Sequence, residues 1–314
     1  MTATVLGVDI GGTKVALGRV NRDGRILGEV HSYDHGVRHE DELLAVLRAR
    51  IGRMLGRSKN GDAQPVKAIG VACAGTVNQG AGVVVQSPNL PLVDTKLRAF
   101  VENEFGLPTT LENDVNAALW AERKLGAARG VEHALMLTLG TGLGGALLLD
   151  GRLYRGAQGA AGEVGHIIVD QYGESCRCGL RGCLEAYVAA PAFERIGFRT
   201  VGLFERGAFT GELIGRLAVE GSAAAKQALD EIGSWLGVGI SNLTNILNPE
   251  VVIVGGGLSQ LGDLLLEPAR KTVREYALRP GRDLVRIVQA ELGPAAGVVG
   301  AALLVWDAGA SGLV

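Results

Sequence analysis

The sequence predicts an α/β protein of two lobes that share a duplicated fold. Its 314 residues are enough for two ordinary domains, each with a core of its own. Apolar strand-like segments alternate with segments of helical periodicity, and one arrangement of strand, glycine turn, strand and Asp-Gly-Arg turn occurs twice. No low-complexity linker separates the halves, so we expect the lobes to pack against each other with a cleft between them.

The first copy of this arrangement opens the chain, and its hairpin ends in the turn Asp23-Gly24-Arg25-Ile26. The elements predicted for the first half are strands at Val5–Ile10, Val15–Val20 and Arg25–Val30, a helix at Asp41–Leu55 with Leu44, Leu47, Ile51 and Leu55 on one face, a strand at Val66–Ala72 and a helix at Val115–Leu125.

The second copy ends in Asp150-Gly151-Arg152-Leu153, and the likeness over about twenty residues favours duplication over two unrelated glycine hairpins. The elements predicted for the second half are strands at Ala134–Leu139, Ala146–Leu149 and Val251–Val254 and helices at Ser222–Leu247, Leu258–Leu278 and Gly297–Trp306. We predict a small lobe of residues 1–114 with about 298–314, and a large lobe of residues 115–297.

Composition excludes several classes of protein. The net charge of −2 and the lack of a basic stripe argue against a nucleic-acid partner. The start of the chain lacks a signal peptide's pattern, and the longest uncharged runs are interrupted by glycine and threonine, so no membrane partner is expected. Four cysteines without such a signal indicate a reducing, cytoplasmic location, where metal binding is favoured over disulfides.

Glycine clusters after the strands are typical of loops that bind phosphate through backbone N–H groups. Neither hairpin loop is a Walker A sequence, and each alone is also compatible with an ordinary tight turn. Three such clusters together favour a nucleotide site, in which Asp9 could hold a hydrated Mg²⁺. The candidate residues are Asp9, Gly11, Gly12, Thr13 and Lys14 in the first cluster, Gly140, Thr141, Gly142 and Gly144 in the second, and Gly255, Gly256 and Gly257 in the third.

Asp114 is the candidate general base. It follows Glu112 and Asn113 directly before a predicted helix, where a carboxylate is commonly an N-cap. The alternative is an aspartate that accepts the proton of an attacking hydroxyl in phosphoryl transfer. Asn113 beside it offers both a donor and an acceptor to a sugar hydroxyl.

His166, Cys176, Cys178 and Cys183 form the motif with the most informative spacing. One imidazole and three thiolates make a closed tetrahedral zinc set, as in structural sites. A disulfide or scattered buried thiols are the alternatives, but Cys176 and Cys178 are too close for a relaxed bridge. The carboxylates of Glu163 and Glu185 flank the motif, whereas His31, His35, His39 and His133 lack ligand-like spacing and are assigned no role.

These motifs resemble the ROK family (repressors, open reading frames and kinases), in particular its bacterial glucokinases, over essentially the whole chain. The residues that carry the resemblance are Asp9-Ile10-Gly11-Gly12-Thr13-Lys14, Ser87-Pro88-Asn89-Leu90-Pro91, Glu112-Asn113-Asp114-Val115-Asn116-Ala117-Ala118, Gly140-Thr141-Gly142-Leu143-Gly144-Gly145, Gly162-Glu163-Val164-Gly165-His166, the segment from Cys176 to Glu185, and Gly255-Gly256-Gly257.

The resemblance implies an actin-like, ribonuclease-H-like fold of two lobes around a central cleft. It also implies that Asp114 is the base, that the first two glycine clusters take the phosphates and that the third takes the adenosine. The sugar ligands that it implies are Gly75, Asn89, Asn113, Glu163, His166 and Glu185, with His166 also bound to structural zinc through its other ring nitrogen. The chain departs from the family pattern at Ala74 and Asn78, near the loop that touches the sugar in relatives.

The expected function is therefore ATP-dependent phosphorylation of a hexose at its terminal (6-) hydroxyl, with glucose as the leading substrate and a homo-oligomer, dimer or tetramer, as the assembly. An N-acetylhexosamine kinase is the alternative within the same motifs, and polyphosphate stays open as the donor. A sugar-sensing regulator is less favoured, because relatives of that kind carry a DNA-binding domain in front of the first strand, which here begins at Val5.

Overall fold

The computed structural model describes residues 3–56, 65–202 and 210–309, which form thirteen strands and ten α-helices. The strands are β1 Thr4–Ile10, β2 Lys14–Val20, β3 His31–Asp34, β4 Val66–Cys73, β5 Thr76–Asn78, β6 Val83–Gln86, β7 Val93–Thr95, β8 Thr109–Asn113, β9 Ala134–Leu139, β10 Leu143–Leu149, β11 Arg152–Tyr154, β12 Val251–Gly255 and β13 Arg286–Gln289. The helices are α1 Glu40–Gly56, α2 Leu97–Phe105, α3 Asp114–Leu125, α4 Glu185–Val188, α5 Ala190–Val201, α6 Gly211–Val219, α7 Ala223–Leu247, α8 Asp263–Tyr276, α9 Gly281–Leu284 and α10 Ala296–Asp307.

The chain divides into two compact units. The first unit contains Met1–Arg129, Arg155–Ala161 and Pro294–Val314, and the second contains Gly130–Tyr154 and Gly162–Gly293. The first unit thus continues past residue 114, where the sequence placed the lobe boundary, because α3 packs on α10 within it.

A five-stranded sheet in the order β3-β2-β1-β4-β8 is the centre of the first unit. Helix α10 lies so close to this sheet that added Cβ atoms at Gly7 and Gly70 would each lie 2.0 Å from one of its carbonyl oxygens. On β1 and α1, the residues Leu6, Leu43 and Leu47 are buried in one apolar cluster. Burial of such side chains from water is the main stabilising term for this layer.

The sheet of the second unit repeats the first, strand for strand. Its order is β11-β10-β9-β12-β13, and in both sheets the first three strands are antiparallel and the last two join in parallel. Helices α7 and α8 pack on each other in this unit. The predicted duplication and α/β class are confirmed.

The predicted strand at Arg25–Val30 is wrong. Only Ile26 pairs there, through an isolated bridge to Val20, and the third strand of the sheet is β3. Gly24 and Gly28 have φ values of +77° and +91°. Left-handed backbone at these two glycines breaks the strand ladder.

Two boundaries and the buried face of one helix also differ from the prediction. The second hairpin turn is shorter, because Gly144 and Gly145 belong to β10 and pair with β9. The helix predicted from Leu258 begins at Asp263. It follows a 3₁₀ turn, Gly257–Leu261, and Gly262, which has a φ of +56°. In α1, Leu43 and Met54 are buried where Leu44 and Leu55 were expected. Within the described residues, no helix is long and apolar enough to cross a membrane.

Candidate active site

The first glycine loop, Gly11–Lys14, joins β1 to β2 in the first unit. The Gly11 N–H donates to the Lys14 carbonyl at 2.9 Å and closes the hairpin. The N–H groups of Gly12 and Thr13 donate to no acceptor in the part of the chain that the structure describes. This loop therefore presents two adjacent backbone donors, as an anion-binding turn requires.

Asn89 lies directly against this loop. A Cβ atom added at Gly12 would be 2.7 Å from the Cβ of Asn89, a distance that no real side chain tolerates. Glycine at position 12 thus allows a predicted sugar ligand to approach the loop predicted to hold phosphate.

Asp9 lies near the end of β1, close to the start of α10. A Cβ atom at Gly297 would lie 2.3 Å from Oδ2 of Asp9. Burial, and to a smaller extent the charge of Asp114, raises the pKa of Asp9 to about 7. Because a second carboxylate raises the pKa of the first, a cation at this place would be stabilised by both.

Asn113, and not Asp114, caps helix α3. The Asn113 Oδ1 accepts hydrogen bonds from the N–H groups of Val115 at 2.9 Å and Asn116 at 3.0 Å. Its Nδ2 donates to the Gly75 carbonyl and to Oδ1 of Asp114, each at 3.0 Å. The sequence allowed Asp114 to be the N-cap, but Asn113 has that role. Asp114 is the first residue of the helix, and Asn113 orients its carboxylate.

Gly75 belongs to the same cluster. Its φ of +116° and the Gln86 carbonyl, 2.4 Å from where a Cβ would lie, both require glycine. The neighbouring Ser87 hydroxyl is buried and has no hydrogen-bond partner among the described residues.

The buried Glu112 carboxylate pairs with the partly exposed Arg155 guanidinium next to Asn113. The Arg155 Nε donates to Oε2 of Glu112 at 2.7 Å, and the Glu112 side chain is only 4% exposed. The other oxygen of Glu112 accepts from the Asn113 N–H and from Asn116 Nδ2, each at 3.0 Å. Both carboxylate oxygens of Glu112 therefore have partners, and they hold the end of β8 directly before Asp114.

The second glycine loop, Gly140–Gly142, joins β9 to β10 in the second unit. The Gly140 N–H donates to the Gly142 carbonyl at 3.0 Å, and the Gly140 carbonyl accepts from the N–H of Ala190 at 2.9 Å. The Thr141 and Gly142 N–H groups donate to no acceptor within the described ranges. This loop also presents two adjacent donors, whereas Gly144, predicted as a phosphate contact, lies within β10.

The third glycine turn, Gly255–Gly257, lies beside the end of β9. Gly256 has a φ of +81°, and its Cβ would be 2.3 Å from the carbonyl oxygen of Leu139, the last residue before the second glycine loop. The second glycine loop and the third glycine turn, both predicted to bind nucleotide, therefore lie next to each other in the second unit.

The cysteine cluster consists of His166, Cys176, Cys178 and Cys183, whose ligand atoms all lie within 4.8 Å of one another. The Cys178 and Cys183 sulfurs are 3.6 Å apart, and the Cys176 sulfur is 3.8 Å from Nδ1 of His166. Tetrahedral zinc with Zn–S bonds of about 2.3 Å places its sulfurs about 3.8 Å apart. The donor set and these separations fit zinc.

Glu163 and Glu185 lie near different members of this cluster. Oε2 of Glu163 is 3.9 Å from Nε2 of His166, the ring nitrogen that faces away from the cysteines. Oε2 of Glu185 accepts from the Leu143 N–H at 2.9 Å, and its Oε1 is 3.5 Å from the Cys176 sulfur. Glu185 therefore links the cluster to the residue that follows the second glycine loop.

Comparison with known proteins decides the family, because residues 5–308 match the ROK family. The chain belongs to the ROK family. It is 35% identical to a glucokinase of Streptomyces coelicolor over 95% of this chain and 96% of the relative. A ROK family glucokinase from Streptomyces griseus, solved in complex with glucose and AMPPNP, is 34% identical with a TM-score of 0.82, covering 96% of this chain and 98% of that one. A xylose repressor of Caldicellulosiruptor bescii is 30% identical over 87% of this chain and 70% of its own length.

The expected family and actin-like fold are thus confirmed. The candidate site contains three groups that sequence reasoning missed. His35 contacts the first glycine loop, the Ala190 N–H contacts the second, and Arg155 pairs with Glu112. Each contact joins residues distant in sequence through strand register or helix placement, and no local spacing indicated any of them.

Proposed function

We propose that this protein is a hexokinase-type phosphotransferase that transfers the γ-phosphate of ATP to the terminal (6-) hydroxyl of a hexose, with glucose as the first candidate. The observation that carries the proposal is the cap of α3. Asn113 supplies the helix cap and orients the Asp114 carboxylate, so the residue is positioned as a base and is not needed to start the helix. Sequence identity to glucokinases over nearly the whole chain supports the same class.

In the proposed reaction the protein mainly orients groups and stabilises charge. Asp114 accepts the proton of the sugar hydroxyl as that oxygen attacks the γ-phosphorus and ADP leaves. The paired N–H groups of the first and second glycine loops stabilise phosphate oxygens, and the third glycine turn receives the adenosine. The Asp9 carboxylate would hold a hydrated Mg²⁺, and the metal would supply positive charge to the phosphates of ATP.

The sugar ligands that we propose are Gly75, Asn89, Asn113, Glu163, His166 and Glu185. Asn113 already makes two donor and two acceptor contacts within the protein, so a sugar hydroxyl must replace one of its Nδ2 contacts on binding. The cysteine cluster would hold structural zinc and fix the His166 ring, so that Nε2 of His166 and the carboxylate of Glu163 are oriented together.

Two alternatives stand beside glucose phosphorylation. An N-acetylhexosamine kinase would use the same motifs, and a non-catalytic sugar-sensing regulator has a precedent in the xylose repressor relative. We also propose a homo-oligomer, dimer or tetramer, which sedimentation velocity would measure.

The deciding experiment is coupled ADP release by the purified protein. Glucose, mannose, N-acetylglucosamine, N-acetylmannosamine and fructose are compared at equal concentration with ATP, and with polyphosphate the sugar phosphate itself is measured because no ADP forms; Asp114→Asn is the matched control. We expect the highest kcat/KM with glucose and ATP. Preference for an N-acetylated sugar would select the second kinase function, and sugar binding without turnover would select the regulator.

A further inference from the structure

The two glycine loops share a hydrogen-bond pattern beyond their sequence. In each loop the N–H of the first glycine closes the hairpin, to the Lys14 carbonyl in one and to the Gly142 carbonyl in the other. The carbonyl of that same glycine accepts a hydrogen bond from outside the hairpin. For Gly140 the donor is the backbone N–H of Ala190 at 2.9 Å, and for Gly11 it is Nε2 of His35 at 3.0 Å.

Strand register explains why His35 reaches this carbonyl. The β2–β3 ladder ends with Lys14 opposite Asp34, and the His35 N–H extends it by donating to the Thr13 carbonyl at 3.1 Å. This bond fixes the His35 backbone beside the loop.

The partners of the two ring nitrogens define the tautomer of His35. Because the Gly11 carbonyl can only accept a hydrogen bond, Nε2 of His35 must carry the hydrogen. Nδ1 is then an acceptor, and the Val37 N–H points to it at 3.5 Å.

We propose that His35 is the positioning residue of the first glycine loop. Its side chain holds the Gly11 carbonyl as the backbone N–H of Ala190 holds the Gly140 carbonyl in the second loop. Its hydrogen bond immobilises the peptide that precedes Gly12, so that the Gly12 and Thr13 N–H groups stay oriented for phosphate. Donors oriented before binding gain affinity because less ordering is left to the binding step. That the loop's ligand is a nucleotide phosphate rests on the proposed function.

Substitution of His35 should therefore affect the first loop. The second loop should not be sensitive in this way, because the backbone N–H of Ala190 is retained in most substitutions at that position. His35 is only half-buried, so its replacement should leave the core of the first unit intact. Glutamine can place an amide N–H near the same carbonyl, and His39, exposed and a few residues further along, is a matched control.

The test compares wild type, His35→Ala, His35→Gln and His39→Ala. Calorimetry measures the Kd of Mg-AMPPNP without sugar and the Kd of glucose without nucleotide. Loss of one neutral hydrogen bond predicts about fivefold weaker nucleotide binding by His35→Ala. Glucose affinity should be unchanged, His35→Gln should recover most of the loss, and His39→Ala should match wild type. Steady-state kinetics should show the same effect as a raised KM for ATP at unchanged KM for the sugar.

A second measurement is independent of nucleotide. Amide hydrogen exchange at Gly11, followed by NMR on ligand-free protein, should be faster in His35→Ala, while exchange at Gly140 stays as in wild type. Unchanged exchange at Gly11 would overturn the proposal, and so would equal weakening of nucleotide and sugar, which indicates general damage. Failure of the wild type to bind nucleotide would overturn the proposed function instead, and the exchange result would still decide the role of His35.

Discussion

The two units hold their candidate site residues by different means. In the first unit, Asn113 and Asp114 are fixed by hydrogen bonds and by the Glu112–Arg155 ion pair, all of which the chain supplies itself. In the second unit, His166 and Glu185 lie against three thiols whose geometry fits zinc. The Asn113–Asp114 pair is thus held by the chain alone, whereas the second unit contains a donor set that an ion would complete.

This difference has an electrostatic basis. Glu112 is buried and charged, but a guanidinium and two N–H donors compensate its desolvation. Among the thiols, burial is the main cause that raises the pKa of Cys183 to about 12. Zinc binding requires thiolates, so the metal must displace these protons, and metal affinity should fall at low pH. We therefore expect chemistry to depend on the first unit and metal-dependent sugar binding on the second.

Asp114→Asn should have the largest effect. Loss of a general base typically lowers kcat by about 10²–10⁴-fold, while the amide keeps the size and position of the carboxylate. Sugar affinity, measured by calorimetry, should stay near the wild-type value because the amide oxygen can still accept the hydrogen bond from Nδ2 of Asn113 and the proposed sugar ligands are unchanged. Turnover close to that of wild type would refute Asp114 as the base and remove the chemistry from the first unit.

Arg155→Met should destabilise the protein by about 2–3 kcal/mol, because it leaves the buried Glu112 carboxylate without its cation; the 29% exposure of the Arg155 side chain keeps the loss below that of a fully buried pair. The free energy of unfolding from urea titration measures this. The double variant Glu112→Gln with Arg155→Met is the control, and it should recover much of the loss since no charge is left unpaired. A single variant as stable as wild type would mean that the pair does not hold the Asp114 strand end.

The sequence predicted the local motifs of the two units better than the contacts between residues that are distant in the chain. The cysteine spacing gave the cluster, and the repeated Asp-Gly-Arg turns gave the duplication, because both are local patterns. Asn113 as the cap of α3 could not be separated from Asp114 by spacing, since either side chain suits a helix start. The Arg155–Glu112 pair and the His35–Gly11 contact join residues 43 and 24 positions apart, and they follow from how the strands and loops are brought together in space.

Removal of zinc should affect the second unit alone. At free zinc a thousandfold above its Kd, the metal would contribute about 4 kcal/mol of stability, which a chelator removes. Glucose binding should weaken as well, because His166 and Glu185 lose their support. Cys73→Ser, which alters the cysteine outside the cluster, is the control and should retain one equivalent of zinc. Glucose affinity that is equal with and without metal would show that the cluster does not shape the sugar site.

Asp9→Asn should have the smallest effect, visible as a change in the pH dependence of stability. Asp9 has a folded pKa of about 7, above its ordinary value of 3.8, so the folded protein binds the extra proton between these limits. Stability of the Mg²⁺-free wild type should therefore fall as pH rises from about 4 to about 7, and the asparagine variant should lack this part of the fall. Thermal midpoints of the two proteins should agree near pH 4 and differ most at pH 7 and above, with the variant higher. The same substitution should lower activity through loss of the proposed Mg²⁺ contact, so a variant that is neither more stable at pH 8 nor less active would contradict both the buried carboxylate pair and its proposed role. That opposition between stability and activity is expected of the first unit if Asp9 and Asp114 together hold a cation, and none is expected in the second, where the proposed zinc would stabilise the residues that bind it.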